Sequence, residues 1–180
     1  MKATKLLLSV FPMFLLGIAG CSTTNKSPDV TDNIRKSLDQ AGYKDVKVSE
    51  DRDKGVVTLT GDVPTDSDKA QAESIAKSNA ESLVVSDQVA IRPPGNESEA
   101  KAVDSDLDKA IEKNLDATLV KHRLKKDVKY DVKNGVVTLT GAVPSQTRRA
   151  QVEKLAASVP NVKQVVNELE VKGQKATATS

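Results

Sequence analysis

The segment Ala117-Thr118-Leu119-Val120-Lys121-His122-Arg123-Leu124-Lys125-Lys126 interleaves five ionisable nitrogen side chains with the aliphatic Leu119, Val120 and Leu124. That mixture suits surface electrostatics better than bond-making. Ammonium and guanidinium groups can meet phosphates while the aliphatic side chains dip into a lipid interface. Each Lys or Arg near an anionic surface contributes on the order of 1 kcal/mol. Arg148 and Arg149, further along the chain, add to the same balance. The candidate anionic-headgroup site is therefore Leu119, Val120, Lys121, Arg123, Leu124, Lys125, Lys126, Arg148 and Arg149. A plainer reading stands beside it. Cations at a helix C-terminus are stabilising in themselves, so the segment is equally read as the solvated basic end of a longer helix.

Covalent and metal chemistry find no such cluster. The chain has one histidine, His122, and lacks the G-x-S-x-G, H-E-x-x-H and P-loop spacings, so no catalytic residue is assigned. Asp104, Asp106 and Asp108 read as carboxylates at a helix start, where they complement the macrodipole. Glu50, Asp51 and Asp53 lack the glycine and terminal glutamate of a calcium loop and read as a solvated hairpin turn. Asn96-Glu97-Ser98 is a formal glycosylation sequon that reads as linker. No metal and no cofactor is expected.

The N-terminal segment points to the cell envelope. Lys2 and Lys5 precede an apolar run from Leu6 to Ala19, the pattern of a secretory signal peptide over residues 1–20. It ends in Ile18-Ala19-Gly20-Cys21, which resembles the bacterial lipoprotein signal. The resemblance implies cleavage before Cys21 and lipidation of that residue. Two acyl chains suffice for stable anchoring. Ser22 in second place, rather than aspartate, implies an outer-membrane lipoprotein facing the periplasm. Such processing removes Lys2, Lys5, Phe11 and Phe14, leaving a formally neutral chain whose aromatic residues are Tyr43 and Tyr130. Base-stacking platforms for nucleic acid need aromatic faces, so nucleic acid is not an expected partner. Deep membrane insertion is likewise not expected without Trp or Phe.

A repeat organises what lies between. Gly55-Val56-Val57-Thr58-Leu59-Thr60-Gly61 recurs as Gly135-Val136-Val137-Thr138-Leu139-Thr140-Gly141, and the match continues through Val63-Pro64 and Val143-Pro144. Each copy reads as helix, strand, Gly-containing turn, strand, helix, strand. Val30, Ile34 and Leu38 share one helical face, as do Leu107, Ile111, Leu115 and Leu119. Gly42 is placed to cap the first helix. Asn134-Gly135 marks a hairpin. Thr65 and Ser145 are natural N-caps. The expected fold is α+β: two tandem α-β-β-α-β sandwiches, each with two helices on one face of a three-stranded mixed sheet. The other face, rich in Thr, is expected to be exposed and available to a partner domain. With Leu38 aligned to Leu115, copy two holds five extra residues before its first strand, all within the basic segment. Charge is also divided: residues 28–98 carry 9 basic and 14 acidic side chains, residues 99–180 carry 15 and 11.

The glycine-flanked VVTLT, the helix after it and the closing Val165-x-Asn167-x-Leu169-x-Val171 resemble the BON domain. Copy one carries Asp87 where that family usually has asparagine. The boundaries expected are tether 21–28, BON domain 1 at 29–91, linker 92–102, BON domain 2 at 103–171 and tail 172–180. Tandem BON domains behind a lipoprotein signal look like dual-BON outer-membrane lipoproteins. That resemblance implies a non-enzymatic role in binding anionic phospholipid and supporting the envelope under osmotic or envelope stress. The alternative is a periplasmic protein-interaction or chaperone-like scaffold that engages an envelope protein.

Overall fold

The stripe of Val30, Ile34 and Leu38 makes a helix amphipathic, and alternation in the strands gives that stripe a sheet to cover. The computed structural model, which describes residues 30–173, realises this design twice. Copy one comprises α1 (Thr31–Gln40), β1 (Lys47–Asp51), β2 (Val56–Thr60), β3 (Asp62–Val63), α2 (Asp66–Asn79), β4 (Val84–Asp87) and β5 (Ala90–Ile91). Copy two comprises α3 (Glu97–Lys121), β6 (Val128–Lys133), β7 (Val136–Val143), α4 (Gln146–Ala157), β8 (Gln164–Asn167) and β9 (Glu170–Val171). The repeated VVTLT is the central strand of each sheet. β2 pairs antiparallel with β1 and parallel with β4, as β7 does with β6 and β8. The expected α+β class and mixed sheet are what is found. The signal segment, Cys21, the tether and residues 174–180 lie outside the described residues.

Each copy has its own aliphatic core. Ile34, Leu38, Val57, Leu59, Ala72 and Ala76 meet in the first, and Leu115, Leu119, Val137, Leu139, Val152 and Ala156 in the second. Thr65 and Ser145 cap α2 and α4, accepting from the N–H groups of Asp68 (3.1 Å) and Arg148 (3.2 Å). Asn134 and Gly135 both have positive φ, at 51° and 82°, as a tight two-residue hairpin demands. The third strand of each copy is interrupted. Asp87 Oδ1 accepts from the Val89 N–H at 3.1 Å, and Asn167 Oδ1 from the Leu169 N–H at 3.2 Å. A side-chain oxygen thus replaces the backbone partner across the break between β4 and β5, and between β8 and β9.

The outer sheet faces are only partly exposed, and the partner domain each meets is the other copy. Val56, Val136 and Val166 are buried together with Val84 beside them, so the two sheets close on each other. Burying valines is favourable by roughly 1.5–3 kcal/mol each, and polar contacts set the register. The Gln164 side chain donates to the Val85 carbonyl (2.7 Å) and accepts from the Asp87 N–H (3.1 Å), occupying the edge of β4. Lys54 Nζ meets Glu168 Oε2 at 2.5 Å. Asn134 donates to the Gln88 carbonyl at 2.7 Å. The Thr-rich faces were expected to be exposed because Thr58 and Thr60 dominated the pattern. Val56 and its counterpart Val136, on the same faces, decide the outcome.

Candidate functional site

The basic segment sits where α3 ends and β6 has yet to begin. The helix stops by a hydrogen-bonded cap: the Arg123 N–H donates to the Val120 carbonyl (3.0 Å) and the Leu124 N–H to the Leu119 carbonyl (2.8 Å). Copy one ends α1 in the same way, with Gly42 donating to Asp39 (3.1 Å) and Tyr43 to Leu38 (2.9 Å). Leu38 is therefore equivalent to Leu119, not Leu115, and Gly42 to Arg123. In this register Gly42 to Val46 corresponds to Arg123 to Val128, so copy two gains a single residue before its first strand rather than five. The error has a physical source. Leu115 and Leu119 lie one turn apart on one face, so a slip of a turn leaves the apolar stripe intact.

The same cap divides the predicted residues. Leu119 and Leu124 are buried, at 0% and 2% exposure, as the facing pair that closes the cap into the core. They cannot dip into a lipid. Arg149 also leaves the candidate surface: it is buried, and its guanidinium donates to the Asn167 carbonyl at 2.7 Å. Lys69, its counterpart, donates to the Val89 carbonyl at 2.6 Å and lies 3.7 Å from Asp87. Position 69/149 thus holds a long cation against the interrupted strand in both copies. Burial pushes the Asp87 carboxyl above its usual range, against the opposing pull of Lys69 and the Val89 N–H.

Lys125 is engaged locally. It forms an ion pair with Asp116 and lies 4.9 Å from the centre of the Tyr130 ring, whose hydroxyl also donates to Asp116. These two hydrogen bonds, that from Lys125 first, hold the Asp116 carboxyl below its usual range, and the bond to Asp116 raises Lys125. What remains outward is Val120, 62% exposed, with exposed Lys121, Arg123 and Lys126 around it. Arg148, partly exposed at the start of α4, belongs to the same end of the helical layer. In copy one the equivalent residues Tyr43 and Asp68 touch at 3.5 Å. Copy two thus presents Arg148 where copy one presents a carboxylate.

The carboxylates expected at a helix start are mid-helix, because α3 begins at Glu97, inside the expected linker. Asp104 accepts from Arg92 at 2.6 Å, tying α3 to the end of copy one. Asp108 accepts from the Asn134 and Gly135 N–H groups, both at 2.9 Å, and so clamps the β6–β7 turn. These roles were hidden in sequence because both partners are distant along the chain. Between α3, β3, β5 and that turn lies an open cleft of about 560 Å³ with mixed charge, including Asp62, Arg92, Lys101 and Lys133. Glu50 and Asp51 are occupied in the first hairpin: Glu50 accepts from Thr31 Oγ1 (3.3 Å), and Asp51 from the Asp53 and Lys54 N–H groups (3.1 Å each). Among the described residues no group of three His, Cys, Asp or Glu is placed to hold a metal. No described helix is long and apolar enough to cross a membrane.

The BON domain family model matches residues 27–93 and again residues 104–173. The chain is 30% identical over 146 residues to osmotically-inducible protein Y of Escherichia coli (strain K12), covering 79% of this chain and 71% of that one. It is 31% identical over 147 residues to the uncharacterized protein in gshII 5'region of Anaplasma centrale, covering 79% and 92%. Among solved structures it is similar to the C-terminal domain of CdsD, a structural protein of the Type III secretion system of Chlamydia trachomatis. The identity is 19% and the TM-score 0.30, over 78% of this chain and 63% of that one. A second CdsD structure gives 18% and 0.31, over 79% and 61%. Two matched copies account for most of the sequence, and the chain belongs to the BON domain family.

Proposed function

We propose that this chain is a non-enzymatic envelope protein acting under osmotic or envelope stress, and that copy two contacts anionic phospholipid. In this reading Cys21 is lipidated and holds the protein to the periplasmic side of the outer membrane. The observation that carries the lipid contact is the cap of α3. Its backbone turn leaves Val120 uncovered among Lys121, Arg123 and Lys126, none of which has an acidic partner among the described residues. Arg148 extends the same cationic end. Four such charges at roughly 1 kcal/mol each would strengthen binding by about a thousandfold at low salt. The match to osmotically-inducible protein Y supports the stress setting.

The test is flotation of the full chain carrying Cys21→Ser with phosphatidylglycerol or phosphatidylcholine vesicles. Binding should require phosphatidylglycerol and weaken with salt. Reversal of Lys121, Lys126 and Arg148 to Glu should abolish it. Arg123→Gly separates charge from folding, since φ at Arg123 is +57° and glycine relieves that strain. It should weaken binding without lowering stability. Equal binding to both lipids, or binding indifferent to these changes, refutes the proposal. The scaffold alternative keeps less of its sheet surface, because Val56, Val136 and Val166 are buried between the copies.

A further inference from the structure

The stretch Glu97–Ile111, about four turns at 3.6 residues each, has no counterpart in α1, which begins at the position equivalent to Glu112. Ile111 is the first α3 residue in the core of copy two, so the earlier turns are not needed to close that core. Along α3 run Ala100, Val103, Leu107, Ala110, Asn114 and Ala117, spaced by alternating steps of three and four. That is the a/d spacing of a coiled-coil seam. The seam is uncovered: Val103 is 52% and Leu107 36% exposed, and Asn114 and Ala117 are exposed as well. At 100° per residue its centre lies about 110° round the helix from Val120, which flanks the seam one turn beyond Ala117.

We propose that this stripe is a self-association seam, in which α3 pairs antiparallel with α3 of a second copy of the chain. Charge selects both occupant and direction. Residues 97–109 carry five acidic and two basic side chains, whereas the rest of α3, residues 110–121, carries two of each. Parallel pairing would lay acidic half on acidic half; antiparallel pairing lays each acidic half on a balanced one. The register agrees. With Leu107 against Ala110 of the second copy, Val103 meets Asn114 and Ala100 meets Ala117, each contact occurring twice about the two-fold axis. In that register Asp106, flanking the seam, faces Lys113 of the second copy, and Lys113 faces Asp106. Asp106 now makes an exposed 3.2 Å pair with Lys109 on its own helix, an interaction that costs little to exchange.

The test is sedimentation velocity of the full chain in neutral detergent, from about 1 to 200 µM. A monomer–dimer equilibrium is expected, weakened at least tenfold by Asp106→Lys or by Lys113→Asp alone. The double exchange D106K/K113D should restore it, since each charge again faces its opposite. All three positions changed are exposed, so circular dichroism should be unaltered, and Leu107→Asn should give monomer. A monomer throughout the range overturns the proposal, as does a dimer indifferent to the single reversals. It is also overturned if L107N leaves the mass unchanged but abolishes flotation with phosphatidylglycerol vesicles, for then the stripe faces lipid.

Discussion

Gly141 ends the repeated motif, and replacing it with alanine tests whether that motif serves packing. Its φ is +118°, and a Cβ there would run into the Asp127 carbonyl, with the carbonyl carbon at 3.3 Å. Gly141 is paired with Val128 across the β6–β7 ladder, so the carbonyl cannot retreat without opening the first rung. A sparsely populated backbone conformation costs about 1–3 kcal/mol, and overpacking against a fixed group about 1–3 more. Gly141→Ala should therefore cost ~2–6 kcal/mol. For a chain of this size that lowers Tm by on the order of 10 °C. Gly42 is the control: its φ is +93°, and a Cβ there would meet nothing within 4 Å. Gly42→Ala should cost only the backbone strain, ~1–2 kcal/mol. Urea and thermal unfolding followed by far-ultraviolet circular dichroism would compare the two. If Gly141→Ala costs no more than Gly42→Ala, the ladder has slack and the steric argument for the motif's last glycine is wrong.

Other expectations follow from single contacts. Arg149→Ala leaves the buried Asn167 carbonyl without the guanidinium and should cost ~1–3 kcal/mol in urea unfolding; Arg149→Lys, the residue type at the equivalent Lys69, should cost less than half of that. Asp87 is raised by burial, so the folded state takes up a proton there before the unfolded state does, and this contribution to stability grows as pH falls through the folded value towards the ordinary carboxylate range. Asp87→Asn should raise stability near pH 7 and flatten that acid-side slope, and unfolding midpoints measured at several pH values between about 4 and 7 would show it. Lys54→Ala leaves Glu168, 9% exposed, without its cation at the junction of the copies. It should cost about 1–2 kcal/mol, between exposed and buried pairs, and should speed proteolysis within residues 92–96; unchanged cleavage would mean the pair does not hold the copies together.

Much of the fold was legible because the sequence states it twice. The α-β-β-α-β order, the Thr65 and Ser145 caps and the Asn134-Gly135 turn are local signals, and local signals survive into structure. What failed was long-range or degenerate. The Leu115/Leu119 slip came from a periodicity that repeats each turn, and only the cap hydrogen bonds at Gly42 and Arg123 break the tie. The Gly-to-Arg exchange at that αL position removed the composition cue that marks a helix end. Leu124 reads as surface because it sits among lysines, and Leu119 reads both as surface and as part of the apolar helical face, although the cap turns both inward. Arg149 was indistinguishable from Arg148 by type, yet one residue of helix is 100°, enough to send one guanidinium into the core and leave its neighbour outside. Asp104 and Asp108 find partners in Arg92 and the β6–β7 turn that no local pattern reveals.

Gln164 stands where copy one has Val84, and Val166 where it has Ser86. Duplicates that once could have met as equals have diverged at the face where they touch. Two tandem first copies would leave the Val85 carbonyl and Asp87 N–H without the amide that now engages them. Two tandem second copies would bring two such amides to the junction and no Lys54 for Glu168. The halves are therefore no longer interchangeable parts, and their order along the chain has become part of the specification. Unequal recombination between the two repeats would yield a single or triple array with mismatched junctions.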